Sequence, residues 1–207
     1  MNALGALLLL AAALHAAPSS FHGTQGPVPE ALVARMRQHS WRPGCPTPIA
    51  DLAYLRLSYY GYDGAVHEGE LVVHKELASD VLTIFKALFE RRFPVEKMKV
   101  IDDYHGDDDA SMADNNTSAF NCRFVAGKPG VFSQHSRGRA IDVNPRTNPM
   151  VEDGAVLPPA GSEFVDRKKR APGILLSGDR AVREFTGRGW VWGGDWASMK
   201  DYQHFEK

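Results

Sequence analysis

Two runs rich in Val, Leu and Tyr, Ala53–Tyr60 and Ala65–His74, lie on either side of Tyr62-Asp63-Gly64. Apolar, β-favouring runs around a glycine-containing break predict two strands joined by a turn. Leu77, Val81, Ile84, Phe85, Leu88 and Phe89 then recur at helical spacing, so Glu76–Arg92 is predicted to be an amphipathic helix ending before Pro94, its stripe in the core. Lys97–Tyr104 reads as a further strand, Gly106–Thr117 as a polar acidic loop, and Arg139–Val143 as a short strand. Trp190–Trp192 and Tyr202–Phe205 supply the last strands. A few strands with one or two helices and no internal repeat predict an α+β fold, with a small antiparallel sheet carrying the site and helices flanking it.

Before these elements, residues 18–48 are rich in Pro, Gly and Ser around one short helical stretch, Glu30–His39, behind Pro29. They read as a lead-in to a domain over 49–207. Residues 1–17 hold an apolar run, Leu4–Leu14, followed by Ala16 and Ala17. This layout predicts a secretory signal too short to span a bilayer, and hence an exported protein, periplasmic or extracellular, with no membrane span once the leader is removed. A buried N-terminal helix is the competing reading. The 207 residues fit one core, and 24 Lys and Arg against 25 Asp and Glu give a net charge of -1, so no nucleic-acid partner is expected. A monomer is expected. The basic run Arg167, Lys168, Lys169, Arg170 reads as a solvated loop. Cys45 and Cys122 are the only cysteines. They are too few for a structural zinc site, but in an oxidising compartment they can pair.

The chemistry concentrates in residues 133–145, where His135 and Asp142 stand on either side of Gly138. Imidazole nitrogen and carboxylate oxygen are both zinc ligands, and a glycine lets a loop His and a strand Asp converge on one ion. Alternation along the strand puts Ala140 and Asp142 on one face and Arg139, Ile141 and Val143 on the other. Small Ala140 leaves room for metal or substrate. With eight histidines in the chain, a His and an Asp at this spacing can also be incidental. A second cluster at the chain's end, Asp201-Tyr-Gln-His204, adds a third ligand and a carboxylate three positions before it. His135, Asp142 and His204 then make the three-ligand set of a catalytic zinc, with a fourth position for water. Asp201 is either the general base for that water or the partner that orients His204.

At these residues the chain resembles the D-alanyl-D-alanine carboxypeptidase-like zinc peptidases, whose scaffold is shared by lysostaphin-type enzymes and the hedgehog domain. The family's first motif, Ser-x-His-x-x-Gly-x-Ala-x-Asp, is met by Ser133, His135, Gly138, Ala140 and Asp142, and its second, an acidic residue three before a final His, by Asp201 and His204. The likeness extends over about Cys45 to Glu206, through GELVVHKELASDVLTIFKALF, NNTSAFNCR and GWVWGGDW. It implies one zinc ion on His135, Asp142 and His204, a general base at Asp201, and peptide bonds in bacterial cell-wall stem peptides as the substrate. Carboxypeptidase and endopeptidase remain open, and so does a catalytically silent zinc module, though a silent module has no need of Asp201.

Family members also place an Arg against the anionic intermediate. At the comparable place this chain has Asp103-Tyr104-His105, so Arg123 is the substitute candidate, with substrate-carboxylate binding and a structural ion pair as its other readings. His105 is a further electrophile candidate. Ser118, Ser133 and Trp192 are the expected substrate-binding residues. Trp190, Trp192 and Trp196 form either an apolar cleft wall or core. The acidic run Asp102, Asp103, Asp107, Asp108 and Asp109 reads as solvated rather than as a calcium site, since it lacks the EF-hand ligand spacing.

Overall fold

The computed structural model describes residues 20–207; the expected leader, 1–17, lies outside them. In chain order the elements are β1 (Gly23–Pro27), α1 (Glu30–Met36), β2 (Leu52–Tyr60), β3 (Val66–His74), α2 (Ala78–Glu90), β4 (Lys97–Met98), α3 (Asp108–Ala113) and β5 (Asn116–Thr117). They continue with β6 (Ala140–Asp142), β7 (Met150–Glu152), β8 (Ala155–Leu157), α4 (Arg180–Thr186), β9 (Val191–Trp192), β10 (Lys200–Asp201) and β11 (His204–Glu206). The class is α+β. Antiparallel β1, β2 and β3 make one sheet in that order, β6, β11 and β9 a second, and β10, β7 and β8 a third. The short pair β4 and β5 is parallel.

The expected hairpin is β2–β3, its connection closed by the Gly61 amide on the Ala65 carbonyl at 2.8 Å and by Gly64 in the left-handed region at φ 74°. α2 lays Val81, Ile84, Phe85 and Leu88 into a core shared with Leu55, Leu57, Leu71 and Val73, while Phe89 is buried against Phe21 and Tyr60. Ile141, Val143 and Phe205 enter the same core, and Phe205 stacks on Phe185 of α4 with centroids 3.9 Å apart. Alternation then turns Asp142 and His204 to the opposite face. Packing one face of β6 and β11 therefore fixes where the chemical groups of the other face stand. Emptying the Phe205 position would cost on the order of 3–5 kcal/mol and release β11 from that constraint.

Several sequence-based expectations change. The lead-in 18–48 is part of the fold from Gly23 onward: β1 pairs with β2, and Leu32 and Met36 of α1 are buried against Leu52, Val72 and Phe120. Lys97–Tyr104 is a strand only over Lys97–Met98 before a 3₁₀ turn, Ile101–Tyr104, in which the consecutive residues Ile101 and Asp102 are both buried. Alternation cannot bury neighbours on one side; the turn does. Gly106–Thr117 is a helix followed by a strand rather than a loop, with Asp107 capping α3 through its side chain on the Ala110 amide at 3.0 Å. β1, β7, β8, β10 and α4 lie outside the predicted elements.

Cys45 and Cys122 are joined in a disulfide across 77 residues, with Cα atoms 6.0 Å apart. A loop of that length stabilises by about 4 kcal/mol in the chain-entropy account. The bond ties the N-terminal segment to the strand-like stretch that leads into the site, where the Cys122 amide also bonds the Ser40 carbonyl at 2.9 Å. Thiol labelling of unreduced, denatured protein is therefore expected to find no free cysteine; two labelled thiols would contradict the pairing.

Candidate metal centre

His135 sits in a 3₁₀ turn, Gln134–Arg137, that ends at Gly138 with φ 65°. A Cβ at 138 would lie 2.5 Å from the His74 amide nitrogen, so both the conformation and the close approach to β3 require glycine. The His74 amide bonds the Gly138 carbonyl at 2.8 Å, which seats the motif against the first sheet. Asp142 follows on β6, and His204 stands directly across from it in the antiparallel register with β11. Ser118 braces Asp142 from the other side through two backbone hydrogen bonds, of 3.1 and 2.9 Å. That segment is itself pinned by two buried asparagines: Asn115 accepts the Arg146 and Thr147 amides, and Asn116 closes on both backbone groups of Lys99.

The result is a buried cluster of three donors, His135, Asp142 and His204, at 4, 7 and 7% exposure. His135 Nε2 lies 3.1 Å from Asp142 Oδ2, His204 Nδ1 lies 3.0 Å from Asp142 Oδ1, and the two ring nitrogens are 3.3 Å apart. The outward nitrogens are spoken for: His135 Nδ1 donates to the Ala119 carbonyl at 2.5 Å, and His204 Nε2 donates to Glu206 Oε2 at 3.1 Å. In neutral rings those contacts leave a lone pair on each inward nitrogen. Two lone pairs facing each other beside a carboxylate repel unless a cation or a proton lies between them. Burial opposes charge on His204, but hydrogen bonds to Asp142 and Glu206 outweigh it and push the ring up to about 10. Burial likewise raises Asp142, yet the two histidines hold it below the usual carboxylate range. The donors fit a divalent ion. Tetrahedral zinc with bonds of about 2.0–2.2 Å spaces its ligand atoms about 3.3–3.6 Å apart, close to the separations found.

Asp201, on β10, has an Oδ1 that is shielded from solvent and without a hydrogen-bond partner. Burial, then the charge of Asp142, raise its carboxyl to about 6, against the opposing pull of His204 and His135. It does not orient His204, whose outward nitrogen belongs to Glu206. Gly193 makes room for it: a Cβ there would approach the Asp201 carbonyl oxygen to 2.6 Å and its Cβ to 2.8 Å. Gly193 of GWVWGGDW thus has a task at the site that spacing did not disclose.

The other expected residues separate. Arg123 forms an ion pair through Nε with Asp108, the structural partner among its three readings. Ser133 is buried with an unpartnered Oγ, whereas Ser118 contributes backbone bonds. Trp192, expected against substrate, is 2% exposed and gives its N–H to the Tyr202 carbonyl, and Trp190 gives its own to Asp80. Both are core. Trp196 is the tryptophan at the site, half-buried with its ring centroid 5.4 Å from that of His204. His105 is exposed and packs on His39 instead. The acidic run is distributed among partners: Asp102 to Ser40, Asp103 to Arg35, Asp108 to Arg123 and Asn121. Arg167 is not solvated either. Its guanidinium donates to Thr147, Phe164, Asn148 and Leu175 and lies over the Tyr202 ring.

The buried His135, Asp142 and His204, in an α+β domain, are a donor set that could hold a metal ion. Residues 126–207, which contain all three donors and Asp201, match the family model described as D-alanyl-D-alanine carboxypeptidase, the family that the motifs resemble. Comparison with curated proteins and with solved structures returned no match. Among the described residues no helix is long and apolar enough to cross a membrane.

Proposed function

We propose that the chain is an exported zinc metallopeptidase that hydrolyses peptide bonds in peptidoglycan stem peptides. The observation that carries this reading is the convergence of His135, Asp142 and His204 on one point, with Asp201, its Oδ1 buried and unpartnered, close enough to feel their charges. Those three residues would hold the ion, which when bound polarises the scissile carbonyl and acidifies a water. Asp201 takes the proton of the attacking water on Oδ1 and gives it to the leaving amine nitrogen, so that the carboxylate is regenerated as the C–N bond breaks. Arg123, besides its ion pair with Asp108, is the guanidinium assigned here to the anionic intermediate or a substrate carboxylate. Ser133, whose Oγ is buried and without a partner, is assigned to substrate binding, and Trp196 to the aromatic wall.

Digestion of muropeptides by the mature, zinc-loaded protein tests the reading. Mass spectrometry is expected to show shortened stems. A released terminal residue means a carboxypeptidase; an internal cut means an endopeptidase. Tight stem-peptide binding with unchanged muropeptides would instead leave a silent binding module.

A further inference from the structure

We propose that Glu206 is a positioning residue for the metal site, the carboxylate that fixes the ring of His204 and so sets the affinity for zinc. The inference rests on the metal reading of the previous subsection. Glu206 lies two positions beyond His204 on β11, hence on the same face, while Phe205 between them is buried in the core. Its Oε2 receives His204 Nε2 at 3.1 Å. No Lys or Arg pairs with it among the described residues: neighbouring Arg139 is taken by Glu76 and Lys207 by Asp80. The Glu206 side chain is 31% exposed, yet its ionic partner is the buried ring.

The cross-strand neighbour explains how the carboxylate reaches that ring. Glu206 pairs with Ala140 in the β6–β11 register, as His204 pairs with Asp142. Opposed side chains in such a ladder have Cβ atoms about 5 Å apart. A methyl group at 140 leaves the space above it to Glu206, so the small residue of the first motif serves the carboxylate as well as the ion. With its Nε2 hydrogen given to Glu206, the ring turns its Nδ1 lone pair inward. A carboxylate in this position also makes the ligating nitrogen more basic, a stronger effect than that of the neutral Ala119 carbonyl behind His135.

Zinc affinity, measured by competition with a chromophoric chelator, is the readout, with the melting temperature of the metal-free protein alongside. Glu206→Ala is expected to weaken zinc binding by about 10- to 100-fold while the metal-free melting temperature stays at the parent value. Glu206→Gln, whose amide oxygen still accepts the Nε2 hydrogen, is expected to recover much of the affinity. Parent affinity in Glu206→Ala overturns the proposal. So does an equal loss in both variants together with a lowered metal-free melting temperature, which would assign Glu206 to the fold. A parent protein that takes up no zinc overturns the metal reading itself, and this inference with it.

Discussion

Asp201→Asn is expected to lose roughly 10²- to 10⁴-fold in turnover while keeping its zinc, the size of effect that a positioned proton acceptor contributes. Asparagine keeps the shape and much of the hydrogen bonding but cannot take the proton. The environment supports this role: Oδ1 is buried and unpartnered, and burial with the charge of Asp142 raises the carboxyl to about 6. Zinc content is expected to be unaffected, because His204 is oriented by Glu206. The pH profile gives a second check. A raised carboxyl loses its basic form as pH falls through its folded value, and a bound dication favours the carboxylate, so the acid limb of activity should lie at or below about pH 6. Any residual activity of Asp201→Asn should lack that limb. A zinc-loaded Asp201→Asn protein that cleaves at the parent rate would rule the mechanism out.

Loss of a ligand should have the other large effect. His135→Ala and His204→Ala each leave two donors where a catalytic zinc typically uses three, so near-stoichiometric zinc and all muropeptide cleavage are expected to disappear. The two variants should differ in fold stability. His135→Ala leaves the buried Ala119 carbonyl without its donor, a penalty of about 1–3 kcal/mol, whereas His204→Ala frees the half-exposed Glu206, which water can solvate. Circular dichroism establishes that each variant is folded before metal analysis. Full zinc retention in both would remove the assignment.

The sequence by itself determined what depends on near neighbours. Helical spacing disclosed the buried stripe of α2, and the Val-, Leu- and Tyr-rich runs about Gly64 disclosed the β2–β3 hairpin. His135, Gly138 and Asp142 could be read together because seven residues and one left-handed glycine bring the donors to the same place. Asp201 and His204 were legible through the family's second motif. Tertiary structure decided the partners that are distant along the chain. Cys45 meets Cys122, Asp108 claims Arg123, Gly193 yields space to Asp201, and Glu206 rather than Asp201 holds His204. It also separated Trp196 from Trp192, and Arg167 from a basic run that looked solvated. The physical reason is that periodicity reports which face of an element is apolar. The hydrogen-bond and charge partners of a polar side chain are set by whichever element packs beside it, and in this chain that element can lie 127 residues away, as Asp80 does from Lys207.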